Sequence, residues 1–243
     1  MKKFGPGTFG KLHAETYDAL HNPGTTDQAV SLLAELAGNG RTLELAIGTG
    51  RVALPLAEQG VDITGFDASP EMLEKLTQKP GGSRIPTSVA DMASFDLEER
   101  FDFAFLIFNT IYNLTRQEDQ VSCFQNVAKH LNPRGKFLVE TFVPSKETFE
   151  RHQAVRTKHV SFDQVWIEAV QHDPVTQNLA YQRIHITADG VSLSPLPMRY
   201  IWPSEMDLMA ELAGLKLIDR WGGWQRERFT ADSDMHVSVY QLQ

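Results

Sequence analysis

Cysteine is nearly absent. Cys123 is the single one in 243 residues, so no disulfide can close within the chain, which suits a reducing cytosol. It lies in a helical pattern and reads as packing, not as a reactive thiol. Long apolar runs are missing as well: no window approaches the ~18 residues of a membrane span. The first ten residues, MKKFGPGTFG, carry two lysines without the apolar core of a secretory signal. The expectation is a cytoplasmic protein with no membrane partner. Dense Lys/Arg runs are lacking too, with 23 basic against 31 acidic residues and a net charge of −8. That balance argues against nucleic acid as a partner. The 8 histidines show no His-x-x-x-His or His-x-Glu pairing, so no metal site is expected. No Ser/His/Asp or Cys/His signature, repeat or low-complexity segment is present.

Apolar residues make up 42%, enough for a sizeable core. The length fits a single α/β domain over 1–243 with one elaboration. Its organising stretch is TLELAIGTG, 42–50. Thr42 to Ala46 reads as a short buried strand, Gly48 and Gly50 as a tight turn, and a helical pattern starts at Arg51. Glycine lets a ligand approach the main chain, and strand, turn and helix start together make a nucleotide-type site at the carboxyl edge of a parallel sheet. Asp67 ends the next apolar run, where an acid can accept both hydroxyl hydrogens of a ribose. Glu44 discriminates between ligands. A carboxylate beside the glycines repels a pyrophosphate and favours a ligand with an ammonium and a sulfonium, which describes S-adenosylmethionine (SAM).

Further along, Ser69-Pro70 starts a helix to about Gln78, and Arg84 to Val89 reads as a third strand near a sheet edge because of Pro86. Phe101 to Phe108 reads as a doubly buried central strand, followed by Asn109 to Leu114 at its carboxyl end. Thr115 with Glu118 predicts a capping box for a helix to about Leu131, and Lys136 to Val143 a fifth strand. Residues 1–24 read as irregular. Residues 151–200 alternate in polarity between turns and predict an antiparallel meander inserted after the fifth strand.

Glu44-Leu-Ala-Ile-Gly48-Thr-Gly50 resembles the first motif of class I SAM-dependent methyltransferases, and Gly65-Phe-Asp67-Ala-Ser69-Pro70-Glu-Met72-Leu73 their second-strand motif. Ala90-Asp91-Met92 is similar to the adenine-contacting motif after the third strand. Phe101 to Ala104, Leu131 to Phe137, Gly214-Leu215 and His236 to Leu242 agree as the fourth to seventh strands. One departure is Ala46, where many members carry glycine. The resemblance implies a doubly wound, seven-stranded, mostly parallel Rossmann-like sheet whose 151–200 insertion roofs the substrate pocket, as in amino-sugar N-methyltransferases. It implies SAM held by Tyr17, Glu44, Ala46, Gly48, Gly50, Asp67, Ala68, Asp91, Met92 and Phe108. Tyr17 either closes over the methionine end or packs on the core. Asp91 and Met92 either meet adenine or form a plain turn.

Methyl transfer from a sulfonium is an in-line displacement on an activated donor. The protein holds the nucleophile about 3–3.5 Å from the methyl and excludes water. It can also remove the acceptor's proton. Asn109 and Tyr112 are the candidates for catalysis at the right sheet edge, with packing the alternative for Tyr112. Trp202, Trp221 and Trp224 either wall a pocket or fill the core. The expected partner is a small molecule methylated on N or O, a homodimer being allowed. A nicotinamide oxidoreductase and a non-catalytic SAM-binding subunit are the competing classes.

Overall fold

The computed structural model describes residues 4–21, 23–144 and 152–243. Two short helices, α1 (Thr8–His13) and α2 (Tyr17–Leu20), precede the longer α3 (Thr26–Ala37), which Gly38 ends in a left-handed conformation. Strands and helices then alternate: β1 (Thr42–Leu45), α4 (Ala53–Glu58), β2 (Ile63–Asp67), α5 (Pro70–Gln78), β3 (Thr87–Val89), β4 (Phe101–Leu106), α6 (Gln117–His130) and β5 (Leu131–Phe142). Four more strands follow: β6 (Gln153–Val160), β7 (Gln164–Asp173), β8 (Asn178–Thr187) and β9 (Gly190–Arg199). The chain closes with α7 (Pro203–Leu212), β10 (Leu215–Trp221) and β11 (Met235–Leu242).

Local chemistry accounts for several of these boundaries. Ser69 Oγ accepts the Met72 N–H at 3.4 Å and Pro70 sets the first helical angle, so α5 starts at Pro70 and buries Met72, Leu73 and Leu76. In β4 only Asp102 is exposed, because Phe101 and the run from Phe103 to Leu106 are covered on both faces.

The seven-stranded sheet has the order β10-β11-β5-β4-β1-β2-β3. β3, β2, β1, β4 and β5 pair in parallel, and β11 runs antiparallel to both β5 and β10. Strand order reverses between β1 and β4, so a crevice opens at their carboxyl ends. β6 to β9 form a separate four-stranded antiparallel sheet. Its Val170, Leu179 and Met198 are buried in the same apolar cluster as Leu43, Phe101 and Tyr240 of the main sheet. The inserted sheet thus shares a core with the main one.

The structure corrects the sequence reading in places. The described part of 1–24 is largely helical, not irregular. The third strand is shorter than 84–89, since Gly82–Arg84 forms a 3₁₀ turn. The capping box is absent: α6 starts at Gln117, and Glu118 pairs with Arg116 instead of reaching back to Thr115. The antiparallel unit holds one more strand, β6, than the alternation indicates, and its expected first residue, 151, lies outside the described residues.

Arg199 does not point into a ligand cavity. It is 5% exposed, donating from Nη1 to Gln120 Oε1 at 2.6 Å and from Nη2 to Glu205 Oε1 at 2.7 Å. It ties β9 to α6 and α7. Removing one partner of a buried charged pair leaves the other uncompensated, so Arg199→Ala is expected to cost about 3 kcal/mol or more in urea unfolding.

Candidate active site

The glycine turn sets the geometry of the crevice. Gly50 has φ +79, and a Cβ there would lie 2.2 Å from Leu76 Cδ1, so only glycine fits. Gly48 has φ +58 and nothing nearer its missing Cβ than Ala46 O at 3.9 Å, which leaves room for a ligand against the main chain. Ala46 is itself left-handed at φ 53. That conformation costs an alanine about 1–2 kcal/mol, and it explains why glycine serves well at this point.

Two acids face the turn. Glu44 is 4% exposed, burial holds its carboxyl well above the usual range, and its Oε2 has no hydrogen-bond partner. A buried unpaired carboxylate oxygen is costly, and a cationic ligand group is what would satisfy it. Asp67 Oδ2 accepts the Gly48 N–H at 2.9 Å and Oδ1 the Ser69 N–H at 2.8 Å. It therefore braces the turn to the end of β2. Burial raises its pKa, opposed by those backbone donors. Ala68, the residue between, has its carbonyl covered by Gly7, where a Cβ would come within 2.7 Å. Asp91 Oδ1 accepts the Ala93 N–H at 2.9 Å, and Met92 packs partly buried on the core. The residues present thus fit SAM: an unpaired buried anion for its cationic part, an open glycine turn, and acids at the ends of β1, β2 and β3.

Arg51, directly after Gly50, is a cation the motif reading overlooked. Its Nη1 donates to Thr26 Oγ1 at 2.9 Å, and its guanidinium lies 4.9 Å from the centre of the Phe108 ring. Its charge reaches Glu44, Glu140 and Tyr17, lowering the pKa of each against the larger effect of burial. The N-terminal helices close over the turn. Asp18 accepts from Thr49 Oγ1 at 2.5 Å and pairs with Lys79 Nζ at 2.6 Å. Gly10 packs so tightly on α5 that a Cβ would lie 2.3 Å from Ser69 Cβ. Tyr17 begins α2, with its ring stacked 4.7 Å from His21 and edge-on to Phe9 at 6.1 Å. Burial pushes its phenol up to about 12.

Beside this crevice, beneath the inserted sheet, is a cavity of about 250 Å³. It is lined by aromatic rings from Phe9, Tyr17, Phe108, Phe142 and Tyr181, and by the charged Lys158, Glu168 and Arg183. Glu168 sits 3.2 Å from Lys158 Nζ and 3.8 Å from Arg183 Nε. Arg183 Nη1 donates to His21 Nε2 at 2.7 Å, while His21 Nδ1 faces Tyr17 O at 3.3 Å. Burial, with Arg183 beside it, pushes His21 down to about 4, so the imidazole is neutral. This contact joins positions 162 apart in sequence. No local pattern announces it.

Phe108 and Asn109 are consecutive left-handed residues, at φ 60 and 61, and both line the cavity. The Phe108 N–H donates to the buried Glu140 carboxylate, and the Phe142 N–H to Asn109 Oδ1. Tyr112 is elsewhere. It is 0% exposed and does not line the cavity, and its hydroxyl donates to Phe142 O at 2.9 Å and lies 3.2 Å from Ile201 O. Burial drives its phenol well above 10. A phenol so placed ties β5 to the segment before α7, and that is the packing alternative. Trp202, Trp221 and Trp224 do not line the cavity either, and Trp224 is buried in the second apolar cluster. Cys123 is fully buried with its thiol pKa raised, so it is packing. Among the described residues no three His, Cys, Asp or Glu side chains could hold a metal ion, and no helix is long and apolar enough to cross a membrane.

Comparison with known proteins bears on the same residues. A family model described as a methyltransferase domain matches residues 42–135. The structure of the CcbJ methyltransferase from Streptomyces caelestis superposes with a TM-score of 0.93 at 35% identity, covering 98% of this chain and 99% of that one. The cypemycin N-terminal methyltransferase of a Streptomyces species is 25% identical over 98% of this chain and 99% of its own length. With YqeM of Bacillus subtilis the match is 32% identical but takes in only 52% of this chain and 53% of that one, so the chain spans about half of that relative.

The geometry at Tyr112 yields one expectation. Tyr112→Phe deletes the donor to the Phe142 carbonyl, which should cost about 1–2 kcal/mol in thermal or urea unfolding. Turnover at saturating substrate should hold.

Proposed function

The chain belongs to the S-adenosylmethionine-dependent methyltransferases, and from that premise we propose that it methylates the nitrogen of a small amine held in the cavity beneath the inserted sheet. The observation that carries this reading is the cavity wall. Five aromatic rings, from Phe9, Tyr17, Phe108, Phe142 and Tyr181, surround Glu168, the one carboxylate among the described lining residues, which Lys158 and Arg183 share. Ring faces attract an ammonium, and at Glu168 the incoming ammonium takes the place of the exposed Lys158 head group. Bound SAM supplies a methyl group already activated by its positive sulfur.

A hydroxyl acceptor needs a base to take its proton as it reacts, and the lining side chains are poorly suited to that. His21 Nε2 is engaged by Arg183, and the phenols of Tyr17 and Tyr181 are pushed up to about 12. An amine carries its own lone pair once its ammonium proton has passed to water, and Glu168, shared between Lys158 and Arg183, is not needed as a base. The cypemycin relative, by its name, methylates an N-terminus, which agrees.

In the cofactor site, Glu44 faces the ammonium and Arg51 the carboxylate of the methionine end. Gly48, Gly50 and Ala46 offer main chain, and Asp67 with Ala68 holds the ribose. Asp91 and Met92 meet the adenine. Tyr17 and Phe108 stand between the cofactor and the acceptor. Asn109 shapes the acceptor wall, the part left of the catalytic pair once Tyr112 is read as packing. Residues 152–200 form the roof.

Two measurements check the division. Hydrogen bonds to charged groups are worth about 1.5–3 kcal/mol, so Asp67→Ala should weaken S-adenosylhomocysteine binding about tenfold to a hundredfold in calorimetry. Unchanged affinity in the folded variant would place the ribose elsewhere. Arg183→Ala should shift acceptor KM while cofactor affinity holds, and equal losses in both would contradict a roof that serves the acceptor alone. Product NMR that shows an O-methyl group would overturn the amine assignment.

A further inference from the structure

Glu140 is an acid buried where a neutral residue would cost less. It lies on β5, 8% exposed, with its carboxyl pushed up to about 7 by burial, against the Phe108 N–H and the Arg51 charge. Its carboxylate accepts the N–H of Phe108, and its main-chain oxygen accepts the N–H of Asn109 at 3.3 Å. Both residues it holds are left-handed, with φ 60 and 61. Phe108 is strained in that region by about 1–2 kcal/mol, whereas asparagine enters it more readily. Such strain persists only where the surroundings over-determine it, and it gathers at functional sites. The surroundings here come from β5 at two points, Glu140 and the Phe142 N–H on Asn109 Oδ1. The left-handed pair lines the cavity, and Thr110 and Asn113 continue the same wall. Arg51, from the other side, lies 4.9 Å from the Phe108 ring centre.

We infer that Glu140 is a positioning residue for methyl transfer: by holding Phe108 and Asn109 left-handed it sets the wall against which the acceptor is aligned, without touching acceptor or cofactor. The inference rests on the reading of this cavity as the acceptor site. The role needs an oxygen acceptor at the end of a side chain of this length, and Gln supplies one without the charge. A glutamine at 140 should therefore keep the wall, and an alanine should let the pair relax. A small misplacement of reacting groups costs about 10²-fold in rate, while the acids of β1 and β2 that anchor the cofactor are unaffected.

The test compares Glu140→Ala with Glu140→Gln in the full chain. Affinity is read by calorimetry with S-adenosylhomocysteine, and turnover by its release from SAM over a panel of amino sugars and amino acids. Backbone amide exchange is followed at Phe108 and Asn109. The expected result is a kcat loss of about tenfold to a hundredfold in the alanine variant and faster exchange at Phe108, with homocysteine-product affinity changed far less because Glu44, Asp67 and Asp91 still anchor the cofactor, and recovery of kcat and exchange in the glutamine variant. Wild-type kcat and KM in the alanine variant would overturn the assignment. So would a glutamine variant as impaired as the alanine one, or cofactor affinity falling in step with kcat. If Glu140→Ala does not fold, the glutamine variant decides alone: slow exchange at Phe108 with near wild-type kcat supports the role, and loss of either overturns it. A wild-type enzyme that binds the homocysteine product yet turns over nothing on the panel would sink the amine reading instead. Exchange at Phe108 in the two variants then decides the role of Glu140.

Discussion

Glu44 is held at the carboxyl end of β1 with one oxygen buried and unpaired, and much of the molecule can be understood as the setting of that carboxylate. It is out of water because β1 is central, flanked by β2 and β4 in a parallel sheet covered on both faces. The main chain turns away at once through Ala46, Gly48 and Gly50, all left-handed. Asp67 ties that turn to the end of β2. A carboxylate here repels phosphate and attracts a cation, and the charge of Arg51 acts on it from close by.

The cavity beneath the inserted sheet is built by a different logic. The parallel sheet supplies one wall, the Phe108–Asn109 step after β4 together with Phe142 of β5. The opposite wall comes from the inserted sheet, and the N-terminal helices complete the enclosure. The contact of Arg183 with His21 joins these last two, so roof and N-terminal cover meet directly over the cavity. Burial, with Arg183 adding to it, keeps His21 neutral, and the contact occupies its Nε2. Catalysis by alignment and exclusion of water suits a site whose donor arrives already activated.

The sheet architecture and the crevice at its glycine turn were legible in the chain itself. Gly48, Gly50, Asp67 and Asp91 lie within a few residues of a strand end, and a strand end followed by glycine or acid constrains backbone and charge locally. Ser69-Pro70 was legible for the same reason, because a cap acts over three or four residues. The capping box at Thr115 failed because the competing partner, Arg116 beside Glu118, satisfies the acid more directly. The N-terminal helices were missed because α2 has only four residues and depends on packing over the glycine turn.

What the sequence by itself determined was the alternation of strand and helix, the glycine turn with its two acids, and the antiparallel character of the insertion. These follow from periods of two and 3.6 residues and from φ angles that only some residues adopt. Tertiary structure alone decided which side chains face the cavity. Tyr112 and Arg199 look available in the chain, yet each is used up in packing, because a polar group that folding buries must find its partner in the interior. Arg51, His21 and Glu140 look ordinary in the chain. They gain their roles from neighbours brought together across the sheet, and no spacing along the sequence encodes that proximity.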